Sequence, residues 1–229
     1  MHILRVHIDK LHLRHMPFQT VADLSRGFAG GVNFGYFYRS PSHPQGSSPE
    51  GAVIADGEVM DSRVVPGRPA LVHTSRLRIQ DVWGINQDWA SSYRVLAQAG
   101  PWLVRDGQAV TEYAGYPGID PHSVRRRVAV GVDVDQVYIA VGDGTLADMA
   151  RALREVGCSD AIAGDGGSSV SLVQGGELVF GGGQLVPNAL VWEDAEKIHL
   201  CPPGVSDLIS RLDHVLKELE AIREELRGL

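Results

Sequence analysis

The sequence predicts an α+β fold: a mixed β-sheet with a β-α-β crossover, plus a C-terminal coiled-coil helix. Three observations predict it. Short segments of strand character, broken by turn signals such as Asp56-Gly57 and Asp106-Gly107, fill most of the first 200 residues. One amphipathic helix lies between two strands in the region 136–164. From Val205 onward the apolar residues Val205, Leu208, Leu212, Val215, Leu219, Ile222, Leu226 and Leu229 follow the alternating three-and-four spacing of a heptad. The expected organisation is a domain over 1–200 and an oligomerisation helix over 205–229, separated by Pro202-Pro203-Gly204.

The elements follow in order. "MHILRVHIDKLHLRHM" alternates apolar and polar residues, which reads as strand. "GFAGGVNFGYFYRS" is glycine- and aromatic-rich, and "RSPSHPQGSSPEG" is a loop. "GAVIADGEVM" reads as a hairpin turning at Ala55–Glu58, and "RPALVHTSRLRI" as a further strand. "DVWGINQDWASSY" is a loop long enough to cover a site. "YRVLAQAGPWLVRDGQAV" holds two short strands. "RRRVAVGVDVDQVYIAVGDG" gives two strands around Asp133–Asp135. In "TLADMARALREVG", Leu146, Met149, Ala150, Leu153 and Val156 recur at helical spacing. Thr145 and Asp148 are placed as a capping box, and Gly157 closes the helix. "DAIAG" is a buried strand, "SVSLVQGGELVFGGG" a hairpin and "PNALVWED" a last strand. The heptad tail reads as self-association; an amphipathic helix packed on its own domain is the plainer alternative.

Composition narrows the function. The chain has 229 residues and a net charge of -7, which opposes nucleic acid as the main partner. No segment approaches a membrane span, so no membrane partner is expected. Two cysteines, Cys158 and Cys201, and an N-terminus without an apolar signal core suggest a cytoplasmic location. The histidines of the first strands, His2, His7, His12 and His15, have no metal-ligand spacing and read as surface residues. No cofactor is assigned; Asp165 with Asp143 offers oxygen ligands to a hard cation, but nothing in the spacing requires one.

The candidate chemistry centres on "DAIAGDGGSSVSL". Asp165 follows a buried strand at its carboxyl end, as Asp143 follows the strand before the helix; that end is where such sheets present ligands. Gly166 and Gly167 let a ligand approach the backbone, and Ser168 and Ser169 add hydroxyl donors, so the turn suits an anion beside a carboxylate. An Asx-capped turn with no ligand is the alternative. In "RRRVAVG", Arg125 and Arg127 share one strand face and Arg126 takes the other. An inward guanidinium is suited to clamp a phosphate; a solvated edge is the alternative. Asn33, among glycines and aromatics that include Tyr36, offers an amide to a sugar hydroxyl and ring faces to a sugar; a structural turn asparagine is the alternative.

Taken together and in order, these stretches resemble the phosphodiester glycosidase family. The matching runs are "VNFGYF", "EGAVIADGEV", "QAGPWLVRDG", "RVAVGVD", "AIAGDGGSSV" and "VPNALVW", which lie between Gly30 and Val191. The resemblance implies hydrolysis of a sugar-1-phosphodiester at the anomeric carbon. It carries the family's asparagine, arginine and aspartate onto Asn33, Arg127 and Asp165 as catalytic residues; the expected substrate contacts, Tyr36, Asp143, Gly166, Gly167, Ser168 and Ser169, come from the reading of the residues themselves. Three positions depart from the family pattern: Phe34 for a glycine, Val128 for a threonine and Ser168 for a glycine. The expected second carboxylate is Asp143, with Glu50 or Asp56 as looser candidates. The alternatives are a non-catalytic sugar-phosphate or nucleotide-binding module assembled through the coiled coil, an assembly protein built on the tail, and a phosphodiesterase attacking phosphorus.

Overall fold

A computed structural model describes residues 1–38, 47–84, 87–113, 119–198 and 200. The first strands are β1 (His2–His7), β2 (Leu11–Gln19), β3 (Gly30–Asn33), β4 (Val53–Ala55), β5 (Glu58–Asp61), β6 (Pro69–His73) and β7 (Leu77–Asp81). Next come β8 (Val95–Gln98), β9 (Trp102–Arg105), β10 (Gln108–Ala109), β11 (Arg125–Asp133) and β12 (Gln136–Gly144). The last are β13 (Asp160–Ala163), β14 (Ser171–Gln174), β15 (Glu177–Gly181), β16 (Val186–Trp192) and β17 (Glu196–Ile198). The described helices are short: α1 (Val21–Leu24) and α2 (Leu146–Glu155). Met1–Ile198 form one compact unit.

The α+β expectation with a mixed sheet is corrected here. The strands form a seven-stranded sheet, β10-β9-β13-β11-β12-β1-β17, and two five-stranded sheets, β15-β14-β3-β16-β2 and β5-β4-β8-β6-β7. Every pairing between these strands is antiparallel. The architecture is therefore layered antiparallel β, and the one substantial helix is an insertion in it. The strand–helix–strand segment exists, but its strands are not neighbours. β12 and β13 both pair antiparallel with β11, so they run parallel to each other with β11 between them. Hairpin signals every ten residues or so are what antiparallel sheets produce, and they outweigh a single crossover. The coiled coil expected over 205–229 lies outside the described residues, and no coiled-coil helix is among the described elements. Parts of the 39–51 and 81–93 loops also lie outside them; within the second, Gln87–Ser92 form a 3-10 run.

One apolar core draws on all three sheets. Leu4, Val6, Val130 and Ile139 come from the first, Leu13, Val32 and Leu190 from the second, and Val53, Leu71 and Val95 from the third. Burying each such side chain stabilises the fold by about 1.5–3 kcal/mol, so these central strands make a stiff frame. α2 covers the other face of the large sheet through Leu146, Met149, Ala150 and Leu153. Its capping box is formed: Thr145 Oγ1 accepts from the Asp148 amide at 3.1 Å, and Asp148 accepts from the Thr145 amide at 2.9 Å. Gly157 follows the helix with φ of 92° and donates to the Arg154 carbonyl at 2.9 Å.

Burial also sets an acid limit. Burial, above all, holds the pKa values of His2, His15 and His73 below the ordinary histidine value. The charge of Arg94 reinforces this at His73, while Asp61 opposes it at His15. Above about pH 6.5 all three are neutral in folded and unfolded chains alike. Below it the unfolded chain takes up protons that the folded chain resists, so stability falls as pH falls. The lowered carboxylates, among them Asp120 and Asp148, act only further down, near their ordinary range and below. Thermal melts are expected to be level between about pH 7 and 8 and to decline from about pH 6.5 to pH 5. An unchanged Tm at pH 5 would show that these histidines do not couple to folding.

Candidate functional site

The loop after β13 is held by backbone and side-chain bonds at both ends. The Gly164 amide donates to the Val128 carbonyl at 2.8 Å, and the Asp165 amide to the Phe34 carbonyl at 2.7 Å. A Cβ on Gly164 would come within 2.8 Å of both the Phe34 carbonyl and Val128 Cγ1, so only glycine fits against β3 and β11 here. Gly167 has φ of 69°, a left-handed turn conformation. Asn33 staples this loop. Its Nδ2 donates to the Asp165 carbonyl at 2.8 Å, and its Oδ1 accepts from the Ser171 amide at 3.1 Å.

Asn33 is buried, and these two bonds fix its orientation. The structure therefore gives the amide a positioning task within the protein. Asn33→Ala should leave a buried carbonyl and a buried N–H without partners, costing about 3 kcal/mol in all, or roughly 6–10 °C in Tm. Asn33→Asp should be worse for Asp165, because it keeps the acceptor toward Ser171 but turns an oxygen toward the Asp165 carbonyl. Melting curves for the two variants check this; a wild-type Tm in both would remove the staple.

Arg127 lies on β11 with only 7% of its surface exposed. Its Nη2 donates to the carbonyls of Asp120 at 2.6 Å and Ser123 at 3.1 Å, and its Nε to that of Gly144 at 3.4 Å. Among the described residues it has no carboxylate ion-pair partner. Burial first, and then the neighbouring Arg125 charge, pull its pKa below the usual guanidinium range. Carbonyl dipoles only partly compensate a buried cation, so the position favours an arriving anion.

These residues meet in a pocket of about 240 Å³ lined by Tyr36, Ile119, Arg125, Arg127, Leu146, Ala163, Gly164, Asp165, Gly166 and Gly167. The antiparallel topology explains the meeting. β13 ends where β11 begins, so Asp165 arrives beside Arg125 and Arg127. Arg127 packs against the turn: a Cβ on Gly166 would lie 3.8 Å from its Cδ. Among the described residues, Asp165 is the one acidic group in the lining.

The other expected residues divide. Tyr36 lines the pocket, with its hydroxyl donating to the Gly100 carbonyl and the Arg68 guanidinium 4.8 Å from its ring centre. Gly166 and Gly167 line it too. Asp143 does not: it is exposed and in register with Arg126, on the face opposite Arg125 and Arg127. Ser168 is exposed and outside the lining, and Ser169 is buried beneath the turn, accepting from Gln184 at 3.3 Å. Glu50 pairs with Arg68 at 2.9 Å, and Asp56 sits at the β4–β5 turn. Phe34 and Val128 are wholly buried in the core, so none of the three departures from the family pattern lines the pocket. Ile119 and Leu146 are lining residues that the sequence did not suggest, while Arg125 joins Arg127 as the arginine on its face of the strand. Period-two alternation from Arg127 is the signal that finds Arg125.

Among the described residues no group of three or more His, Cys, Asp or Glu is arranged to hold a metal. No described helix is long and apolar enough to cross a membrane. Cys158 is buried and free, and burial pushes its thiol up to about 12, so it is no nucleophile.

The family model for phosphodiester glycosidases matches residues 26–192. Curated proteins yield no match. Among solved structures, the zebrafish N-acetylglucosamine-1-phosphodiester alpha-N-acetylglucosaminidase catalytic domain, auto-inhibited by its pro-peptide, is similar with a TM-score of 0.65 at 15% identity, covering 82% of this chain and 74% of that one. A putative exported protein from Burkholderia pseudomallei has a TM-score of 0.61 at 15% identity, covering 84% and 73%. A hypothetical protein from Synechocystis has a TM-score of 0.54 at 16% identity, covering 80% and 56%. The cytoplasmic expectation is corrected by this set, since a protein of the same fold is described as exported.

Proposed function

The chain belongs to the phosphodiester glycosidase family, and on that premise we propose that it hydrolyses the glycosidic bond of a sugar-1-phosphodiester, with residues 1–200 as the catalytic domain. One observation carries the reading: among the described residues, a single carboxylate, Asp165, and a buried cation without a carboxylate partner, Arg127, line the same pocket. A glycosidase must assist attack at the anomeric carbon and accommodate the departing group. Here Asp165 acts on the sugar side, orienting water or attacking carbon itself. Arg127 neutralises charge on the departing phosphate. A phosphate monoester is already a good leaving group, so one carboxylate suffices where ordinary glycosidases use two. Asn33 positions the loop that carries Asp165. Because Phe34, Val128 and Ser168 do not line the pocket, they give no support to a binding module without catalysis. By analogy with the exported protein of this fold, we place the chain in a secreted or extracellular setting.

The test is release of free sugar from a panel of sugar-1-phosphodiesters, UDP-GlcNAc included, in isotope-labelled water. Release with label in the sugar supports attack at carbon. Label in the phosphate would move the reaction to phosphorus, and no release from any member would end the hydrolase reading.

A further inference from the structure

Two arginines, not one, line the pocket, and that difference bears on which phosphate it holds. Arg125 and Arg127 are two residues apart on β11, share a face and both contribute to the lining. Arg127 is buried and fixed by three carbonyls, whereas Arg125 is exposed at the pocket. Their charges are close enough that Arg125 helps to lower the Arg127 pKa. The nearby acidic group is Asp120, whose carboxylate is engaged by the amides of His122 at 3.1 Å and Ser123 at 3.3 Å. Among the described residues Arg125 forms no ion pair with it. Among the described residues, the two guanidinium charges thus outnumber Asp165 within the lining.

A phosphodiester carries one negative charge, while a phosphate monoester above about pH 6 carries two. Attack at the anomeric carbon converts one into the other. The water oxygen bonds to carbon, the carbon–oxygen bond breaks, its electron pair stays on the phosphate oxygen, and a proton is released. We infer that Arg125 is a specificity-determining residue: with Arg127 it makes the pocket selective for the phosphate monoester dianion, so that the protein is inhibited by its own phosphate product. This deepens the phosphodiester reading and rests on it for the identity of the product, but its test needs no turnover.

Binding of phenyl phosphate and of methyl phenyl phosphate is measured by calorimetry at pH 8 and low salt. The wild type should bind the monoester at least tenfold tighter than the diester, and the preference should shrink as salt screens the exposed Arg125. Arg125→Ala should abolish that preference and Arg125→Lys should keep most of it. Arg125 is exposed, so neither change should unfold the chain, and a melting curve verifies this. Equal binding of the two probes by the wild type, binding of neither, or an undiminished preference in folded Arg125→Ala overturns the inference. If the monoester preference is found while no sugar phosphodiester is cleaved, the hydrolase reading fails and takes product inhibition with it, while the role of Arg125 in dianion selectivity stands.

Discussion

Asp165→Asn is expected to reduce sugar release by about three orders of magnitude while leaving the fold in place. The contrast follows from how the residue is held. Two of its bonds run through the backbone: the amide donates to Phe34, and the carbonyl accepts from Asn33. Neither depends on the carboxylate. Asparagine has the same shape, so Gly164, Gly166 and Gly167 keep their geometry and the Tm should change by less than about 4 °C. What disappears is the negative charge and the ability to accept a proton or form a bond to carbon. An undiminished rate would mean that another group acts on the sugar side. A Tm that fell as far as that of Asn33→Ala would mean that the carboxylate serves the loop instead.

How much of this was legible beforehand depends on sequence distance. α2 was legible because its determinants are local: apolar residues at helical spacing, Thr145 with Asp148 at one end and Gly157 at the other. The turn at Asp165 was legible for the same reason, since Asp-Gly-Gly punctuates a buried strand. The sheet was not. A strand–helix–strand segment reads alike whether its strands are neighbours or flank a third, and only the pairing of β11 with β13 decides it. That pairing also moved Asp143 out of the site. With β11 in the middle, the amino end of an antiparallel strand faces the carboxyl end of β13, and arginines fill the place expected for a second carboxylate. Asn33 was found, but its hold on the Asp165 loop was not foreseen, because its partners Asp165 and Ser171 lie more than 130 residues away. The cytoplasmic reading leaned on a low cysteine count, which is compatible with either side of a membrane.

Arg127 presents the other large effect, and its two substitutions should separate charge from scaffold. Arg127→Lys keeps a cation but has one nitrogen where the guanidinium uses two to reach Gly144 and the 120–123 carbonyls. Turnover should fall about a hundredfold, the usual loss for one oxyanion-stabilising group, with a modest fall in Tm. Arg127→Met removes the charge and every bond. It should lose turnover entirely and leave the carbonyls of Asp120, Ser123 and Gly144 without this partner. A buried cation held by dipoles alone is costly, however, so its removal also relieves desolvation. The net stability change should therefore be small compared with the loss of rate, about 1 kcal/mol either way against at least a thousandfold in turnover. That imbalance distinguishes a residue kept for an anion from one kept for the fold. If Arg127→Met instead lost several kcal/mol of stability and Arg127→Lys retained full turnover, the guanidinium would be there to anchor the 120–123 segment, and the phosphate would have to rest on Arg125 and the Gly166-Gly167 turn.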